Sequence, residues 1–433
     1  MSESGINTET TEEKMAGKKG ILPANKFYVV LILLMALLGA AFLAMLAVVK
    51  AFPANMTMAF VAAMFIMLLL SGFLLGRSKR VFRILGLLVA VLFIGGYGLA
   101  TYYLGSTYAA FTKISTESAK TEESATAKTG FDITQDSFNV YITGIDMWNN
   151  EKGLDLERSD VNMIVTICPK TRKILLTSIP RDSYVKLHTA QQMDKLTHTG
   201  VYGVDETLNT VTDWLGVDFN YYVKVNFTSV MKVITALDGI EVYSPKAFKS
   251  SISKFSYKKG INIMGGKQAL YFARERKAFN NEDAIRVENQ QRVIKAMLDK
   301  LLTSKTLLTK YDELVAIAAD DMETNMPMSD LQALARMQMA DLSPWEIESQ
   351  KITGEYDMDY VASLTQEQKF QIYRTDEKSV AECVAKINEV MNPTEQEIQE
   401  LEEQKKEASF RDFIKGLKGG NSSAEDEEEE AAE

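Results

Sequence analysis

The chain has 433 residues, 46% of them hydrophobic and 24% charged, with a formal net charge of −10. That length holds a domain with a sizeable core plus a further segment, and the acidic balance argues against a nucleic-acid partner, which requires a basic surface. The two cysteines, Cys168 and Cys383, match no metal spacing, and His188 and His198 cannot build a zinc site without carboxylates; an oxygen-bound Mg²⁺ is not excluded.

The front of the chain is apolar. Residues 27–49, 54–76 and 84–104 carry no charged side chain, and each is long enough to cross a hydrocarbon layer of about 30 Å at roughly 1.5 Å per residue. Three membrane spans follow. A cleaved signal peptide does not fit, because two more spans come after the first. Lys14, Lys18, Lys19 and Lys26 precede the first span, and Arg77, Lys79, Arg80 and Arg83 crowd the second loop, whereas the first loop has only Lys50. The positive-inside rule places the leader, 1–26, and the second loop in the cytoplasm, so everything past the third span is expected outside the cell membrane.

Residues 105–137 are rich in Ser, Thr, Ala, Lys and Glu and read as a linker. A folded domain is expected over 138–392. FNVYITGI (138–145), VNMIVTI (161–167) and KILLTSI (173–179) are short, β-branched and apolar, as strands buried on both faces are. The link CPKTR between the last two suggests an antiparallel hairpin. GVDETLNTVTDWLG (203–216) has helical spacing and a closing glycine, YYVKVNF (221–227) reads as a strand, and TSVMKVITALDG (228–239) as a helix opened by Thr or Ser. Helix resumes near 284. The fold class is therefore α/β, a mixed central sheet flanked by helices, preceded by the three transmembrane helices. Residues 393–433 read as a charged helix followed by a disordered acidic end.

Polar clusters interrupt the apolar pattern at strand ends and helix starts. Asp146 closes TGID, Arg158 and Asp160 stand in ERSD before a strand, and Arg181 and Asp182 follow Pro180 in IPRDSY, where the proline turns the chain at a sheet edge. If the first two strands are neighbours, Asp160 can lie near Asp146; two such carboxylates call for a cation between them, and hard oxygens suit Mg²⁺ or Mn²⁺. Further on, YFARERKAFNNEDAIRVENQQRV (271–293) holds Arg274, Arg276 and Arg286. The first two share a face if extended and oppose each other if helical. Asp283, Arg286 and Gln290 share one face of the following helix, read as lying away from its Val293 and Met297 stripe, with Asp283 a candidate N-cap; Arg292 reads as a solvated helix residue. Arginine binds phosphate bidentately and stays charged, so the carboxylates and arginines together describe a site for a metal-bridged pyrophosphate. No P-loop, nucleophile elbow or kinase signature is present, which leaves an acceptor hydroxyl activated in place, with Asp182 or Asp283 as candidate base.

GID, RSDVNMIVTICPKTRKILLTSIPRDSYV, KLTHTGVYG, YYVKVNF and RERKAFNNEDAIRVENQQ, in this order, resemble the LytR-CpsA-Psr family, and the triple-span front end is similar to its CpsA-like branch. The resemblance implies a membrane-anchored ligase that moves an anionic wall polymer or capsular polysaccharide from an undecaprenyl (polyisoprenyl) pyrophosphate carrier to peptidoglycan. It implies Mg²⁺ on Asp146 and Asp160, and the pyrophosphate on Arg158, Arg181, Arg274, Arg276, Arg286 and Gln290. It further implies acceptor activation by Asp283, and a lipid tunnel between sheet and helices. Nucleic acid is not an expected partner. Against the family pattern, Ile285 stands where a glycine usually precedes the arginine, there is no room for an accessory domain before 138, and the charged tail is unusual.

Overall fold

The computed structural model describes residues 24–50, 52–118, 131–145, 159–278, 282–302, 310, 313–318, 322–364 and 367–407. The chain divides into two units, an apolar helical one ending at Gly105 and a larger one that follows.

The helical unit holds α1 (Ala24–Val49), α2 (Ala54–Leu75) and most of α3 (Arg80–Ser118). All three are long and apolar enough to cross a membrane. Helix α3 runs on to Ser118 instead of stopping where the linker composition begins. The stretch after Gly105 lacks proline and contains Ala, Lys and Glu, good helix formers.

The larger unit is built on a six-stranded mixed sheet. Its first strands are β1 (Phe138–Ile145), β2 (Ser159–Cys168) and β3 (Lys173–Ile179), followed by the short pair β4 (Tyr184–Lys186) and β5 (Met193–Lys195). A helical turn, α4 (Leu196–Thr199), and helix α5 (Val204–Leu215) lead to β6 (Tyr221–Asn226) and α6 (Phe227–Ala236). Then come β7 (Ile240–Ser244), β8 (Phe248–Lys249), β9 (Ser256–Tyr257), β10 (Gly260–Met264), α7 (Gly266–Arg274) and α8 (Glu282–Leu301). Beyond these lie β11 (Met322–Thr324), the helix Met328–Ala340, β12 (Glu346–Lys351), β13 (Gly354–Asp359), β14 (Phe370–Thr375) and the helix Glu377–Met391. The large sheet has the order β11-β6-β1-β2-β3-β12, with β1 antiparallel to β2 and parallel to β6, and β3 antiparallel to β2 and parallel to β12. Strand β3 is thus internal, and Pro180 marks its end rather than a sheet edge.

Alternation along β2 explains the three layers. Ile164 faces a core with Tyr141, Leu175, Val211 and Ile387, while Met163 and Val165 face the opposite core with Phe138, Leu176 and Tyr221, covered by α8 and the helix Met328–Ala340. Phe131 and Ile133 pack into this second core, so the folded unit begins before Phe138. Cys168 and Cys383 are free, buried members of the first core. Helix α5 ends at Gly216 with φ +65°, the left-handed closure that favours glycine. Helix α6 is capped by Asn226, whose side chain accepts from the Ser229 N–H, so the cap lies ahead of the Thr and Ser that the sequence suggested.

A helix over 395–407 docks on the sheet's other end. Lys173 Nζ reaches Glu397 Oε1 at 2.9 Å, and Lys405 Nζ reaches Asp341 Oδ2 at 2.7 Å. The Thr394 N–H and the Lys173 ammonium hold the Glu397 carboxyl down at about 2, from an ordinary 4.5. A depressed carboxyl contributes its contact fully above the ordinary value and loses it as pH falls toward the lowered one. Protection of the amides in 395–407, taken relative to the intrinsic exchange rate at each pH, is therefore expected to fall between pH 4.5 and 2, and Glu397→Gln to show the lower protection already at neutral pH.

Candidate functional site

The carboxyl ends of β1, β3, β6 and β12 and the start of β2 lie at one end of the sheet, the usual location for a ligand in α/β folds. Register there is fixed by a buried polar chain. Thr143 Oγ1 meets Ser159 Oγ at 2.5 Å, and Tyr141 donates to Asn162 Oδ1 at 2.7 Å, beside a bulge at Gly144/Ile145. A Cβ on Gly144 would stand 2.9 Å from Val161 Cβ, so this glycine permits the close approach that brings Ser159 opposite Ile145. Asp160 follows directly. The expected adjacency of the strands that bear Asp146 and Asp160 is therefore found; Asp146 itself and Arg158 lie outside the described residues.

Arg181, two residues past β3, turns back over the sheet end. Its Nη1 lies 2.5 Å from Asp160 Oδ1, and its Nε 3.4 Å from Asp182 Oδ2; Lys195 Nζ is 3.5 Å from the other Asp182 oxygen. These groups are half-buried, with Arg181 at 28% and Asp160 at 22% exposure. The loop is held by the Tyr373 N–H, which donates to the Asp182 carbonyl at 2.8 Å, and by the Thr197 N–H, which donates to that of Arg181 at 2.8 Å.

Helix α8 brings the second arginine. Arg286 and Asn289 lie on the same buried side as Val293 and Ala296, so Arg286 extends the apolar stripe instead of opposing it; the seven-residue step from Arg286 to Val293 is two helical turns. Asp283 sits inside the first turn, after Glu282, and is not the N-cap. Arg292, read as solvated, is half-buried and donates to Glu288 Oε2 at 3.0 Å and Asn289 Oδ1 at 2.9 Å. The helix is pinned to β12 by Gln291 Nε2, which donates to the Gln350 carbonyl at 2.6 Å, and by Lys351 Nζ, 2.7 Å from Glu288 Oε1. Burial pushes the Glu288 carboxyl up, but Lys351 and Arg292 prevail and hold it below the ordinary range.

Between these elements lies a cleft of about 280 Å³ lined by Arg181, Asp182, Arg286, Lys351, Tyr356 and Tyr373, among others. The structure thus brings together Arg181, Asp182 and Arg286, with Asp160 on Arg181. It does not place Arg274, Arg276 or Gln290 on the cleft's lining. Arg274 ends α7 and stacks over Phe227, its guanidinium carbon 5.4 Å from the ring centroid, while Arg276 follows the extended Glu275. Helix and extended chain meet between the two arginines, so neither of the sequence's two geometries holds alone. Phe227 starts α6 directly after β6, three strands from β3 in the sheet order, or about 14 Å at roughly 4.8 Å per strand. Arg274 and Arg181 therefore flank the sheet end from its two sides.

Glu275, between those arginines, is fully buried. Its carboxylate accepts from the Ser251 N–H at 2.8 Å and hydroxyl at 2.6 Å and from the Ala278 N–H at 3.2 Å; burial raises its pKa, yet these donors keep it below the ordinary value. Lys351, Tyr356, Tyr373 and Glu275 are the residues sequence reasoning missed. Only Glu275, a lone acid between two arginines, carried a local signal.

Residues 101–389 match the model of the LytR_cpsA_psr family. The polyisoprenyl-teichoic acid–peptidoglycan teichoic acid transferase TagU of Bacillus licheniformis is 28% identical over 73% of this chain and 97% of its own length. The transferase of the same description, TagT, of Bacillus subtilis is 32% identical over 59% of this chain and 80% of its own. The crystal structure of B. subtilis TagV superposes with a TM-score of 0.50 at 26% identity, covering 60% of this chain and 99% of that one.

Proposed function

The chain belongs to the LytR_cpsA_psr family, and we propose that its larger unit transfers a phosphate-linked glycopolymer, wall teichoic acid or capsular polysaccharide, from an undecaprenyl pyrophosphate carrier to peptidoglycan. The observation that carries this reading is the convergence of Arg181 and Arg286 with Lys351 on one cleft beside Asp160. Fixed cations aimed at a phosphate group stabilise the charge that develops as the carrier leaves. The acceptor hydroxyl attacks the phosphorus next to the polymer, the bridging P–O bond breaks, polyisoprenyl phosphate departs, and the hydroxyl proton passes to Asp283. Asp182, between Arg181 and Lys195, orients the loop cation. Arg158, Arg274, Arg276 and Gln290 are assigned to the pyrophosphate on the family resemblance alone, since Arg274, Arg276 and Gln290 stand off the cleft's lining.

Among the described residues no group of three or more His, Cys, Asp or Glu gathers. A divalent ion would therefore be held by Asp160 and Asp146 with the substrate's own oxygens, the manner in which Mg²⁺ is commonly bound. When present it supplies countercharge to the pyrophosphate. The three apolar helices anchor the enzyme in the cell membrane with the N-terminus inside and the larger unit outside, as the loop charges favour.

The test uses the full chain in nanodiscs with a lipid pyrophosphate oligosaccharide, with and without peptidoglycan fragments. The expected product is a glycan joined to peptidoglycan by a phosphodiester, formed only with the acceptor and lost in Asp283→Ala. Phosphate release at the same rate with or without peptidoglycan would replace the transferase by a phosphohydrolase.

A further inference from the structure

The strand pair β7 and β10 has one buried face and one that is exposed among the described residues. Ile240, Val242 and Met264 point into a core with Phe272 and Val293. Tyr243, Ile261 and Ile263 alternate outward, Ile261 opposite Tyr243 and Ile263 opposite Glu241. Ile263 is 75% exposed and Tyr243 50%. A half-solvated antiparallel pair ordinarily shows polar side chains there.

The connection between these strands, PKAFKSSISKFSYKKG (245–260), adds exposed Ile252 and contains Lys246, Lys249, Lys254, Lys258 and Lys259 with no Asp or Glu, in a chain of net charge −10. Lys246 donates to the Ala278 carbonyl, while the other four are exposed and form no ion pair among the described residues. The connection is an ordered lobe. Strands β8 and β9 pair, Phe248 stacks on Tyr257 at 4.7 Å, and the buried Glu275 carboxylate ties down Ser251. The acids Asp238 and Glu241 lie at the other end of β7, away from the lysines, with Asp238 3.4 Å from Lys310.

We infer that this face is a membrane-docking surface, on which Tyr243, Ile252, Ile261 and Ile263 enter the interface of an anionic phospholipid bilayer while Lys249, Lys254, Lys258 and Lys259 meet lipid phosphates. Apolar residues beside lysines are the composition that binds such interfaces, and tyrosine is enriched there. The same chain carries three helices long enough to span a membrane, so the bilayer is present at high effective concentration and a weak surface suffices. Because Glu275 links the lobe to the segment bearing Arg274 and Arg276, docking would fix those arginines relative to the lipid surface.

The experiment takes full-length Ile263→Cys labelled with an environment-sensitive fluorophore. Cys168 and Cys383 are 0% and 5% exposed, so the label enters at 263, a position whose exposure spares the fold. In nanodiscs containing phosphatidylglycerol, emission is expected to shift to the blue and quenching by nitroxide-headgroup lipid to rise about twofold over phosphatidylcholine alone. Both changes should vanish when Lys249, Lys254, Lys258 and Lys259 are all changed to Glu. Identical emission in detergent and in both nanodiscs overturns the inference. So does a shift produced by soluble polyphosphate but by neither lipid, which would make the face a polymer site.

Discussion

Arg181→Ala is expected to lower transfer from a lipid pyrophosphate donor by about 10²- to 10³-fold, the usual loss when one preorganised charge-stabilising donor is removed. Arg181 touches Asp160 and Asp182 and lines the cleft with Arg286. Arg181→Lys should restore only part of the loss, because an ammonium cannot make the planar two-pronged contact. Steady-state kinetics on lipid-embedded enzyme measures both, with amide exchange over β2 and β3 as the fold control. An activity within threefold of the parent for Arg181→Ala, on the same order-of-magnitude scale, would remove the residue from the phosphate grip.

A large effect on stability is expected from Gly266→Ala. A Cβ there would lie 2.1 Å from the Met231 carbonyl oxygen and 2.6 Å from Thr235 Oγ1, so α7 must withdraw from α6. Overpacking of this kind costs about 3 kcal/mol or more, read as a lower denaturation midpoint. Since Arg274 ends α7 and stacks on Phe227 of α6, the surviving folded enzyme should also show a raised KM for the donor. An unchanged midpoint would mean that the two helices slide apart freely.

How far the sequence reached depended on whether a signal was local. The β2 and β3 hairpin was legible from two apolar runs and a proline-bearing link, and α5 from its apolar spacing and Gly216, because neighbours in sequence are neighbours in space there. Arg181 and Asp182 stood out because a polar pair after Pro180 interrupts an apolar strand. Lys351 did not. It ends EIESQK (346–351), an unremarkable polar strand, and only the parallel pairing of β12 with β3 brings it to the cleft. Tyr356 and Tyr373 likewise depend on β13 and β14 folding beside the Asp182 loop. The burial of Arg286 was available from its seven-residue distance to Val293, but charge obscured the periodicity.

The pairing of β12 with β3 has a temporal consequence. Ile347 sits beside Ile174, a contact between distant parts of the chain, and loop closure of that length must be completed before such pairings add stability. Arg181 is synthesised early, but Lys351 joins it only once nearly the whole of the larger unit has emerged and β12 has docked. A partly synthesised chain therefore has no assembled cation cluster, and the grouping of Arg181, Arg286 and Lys351 on one cleft arises late and all at once, with the closing of the sheet.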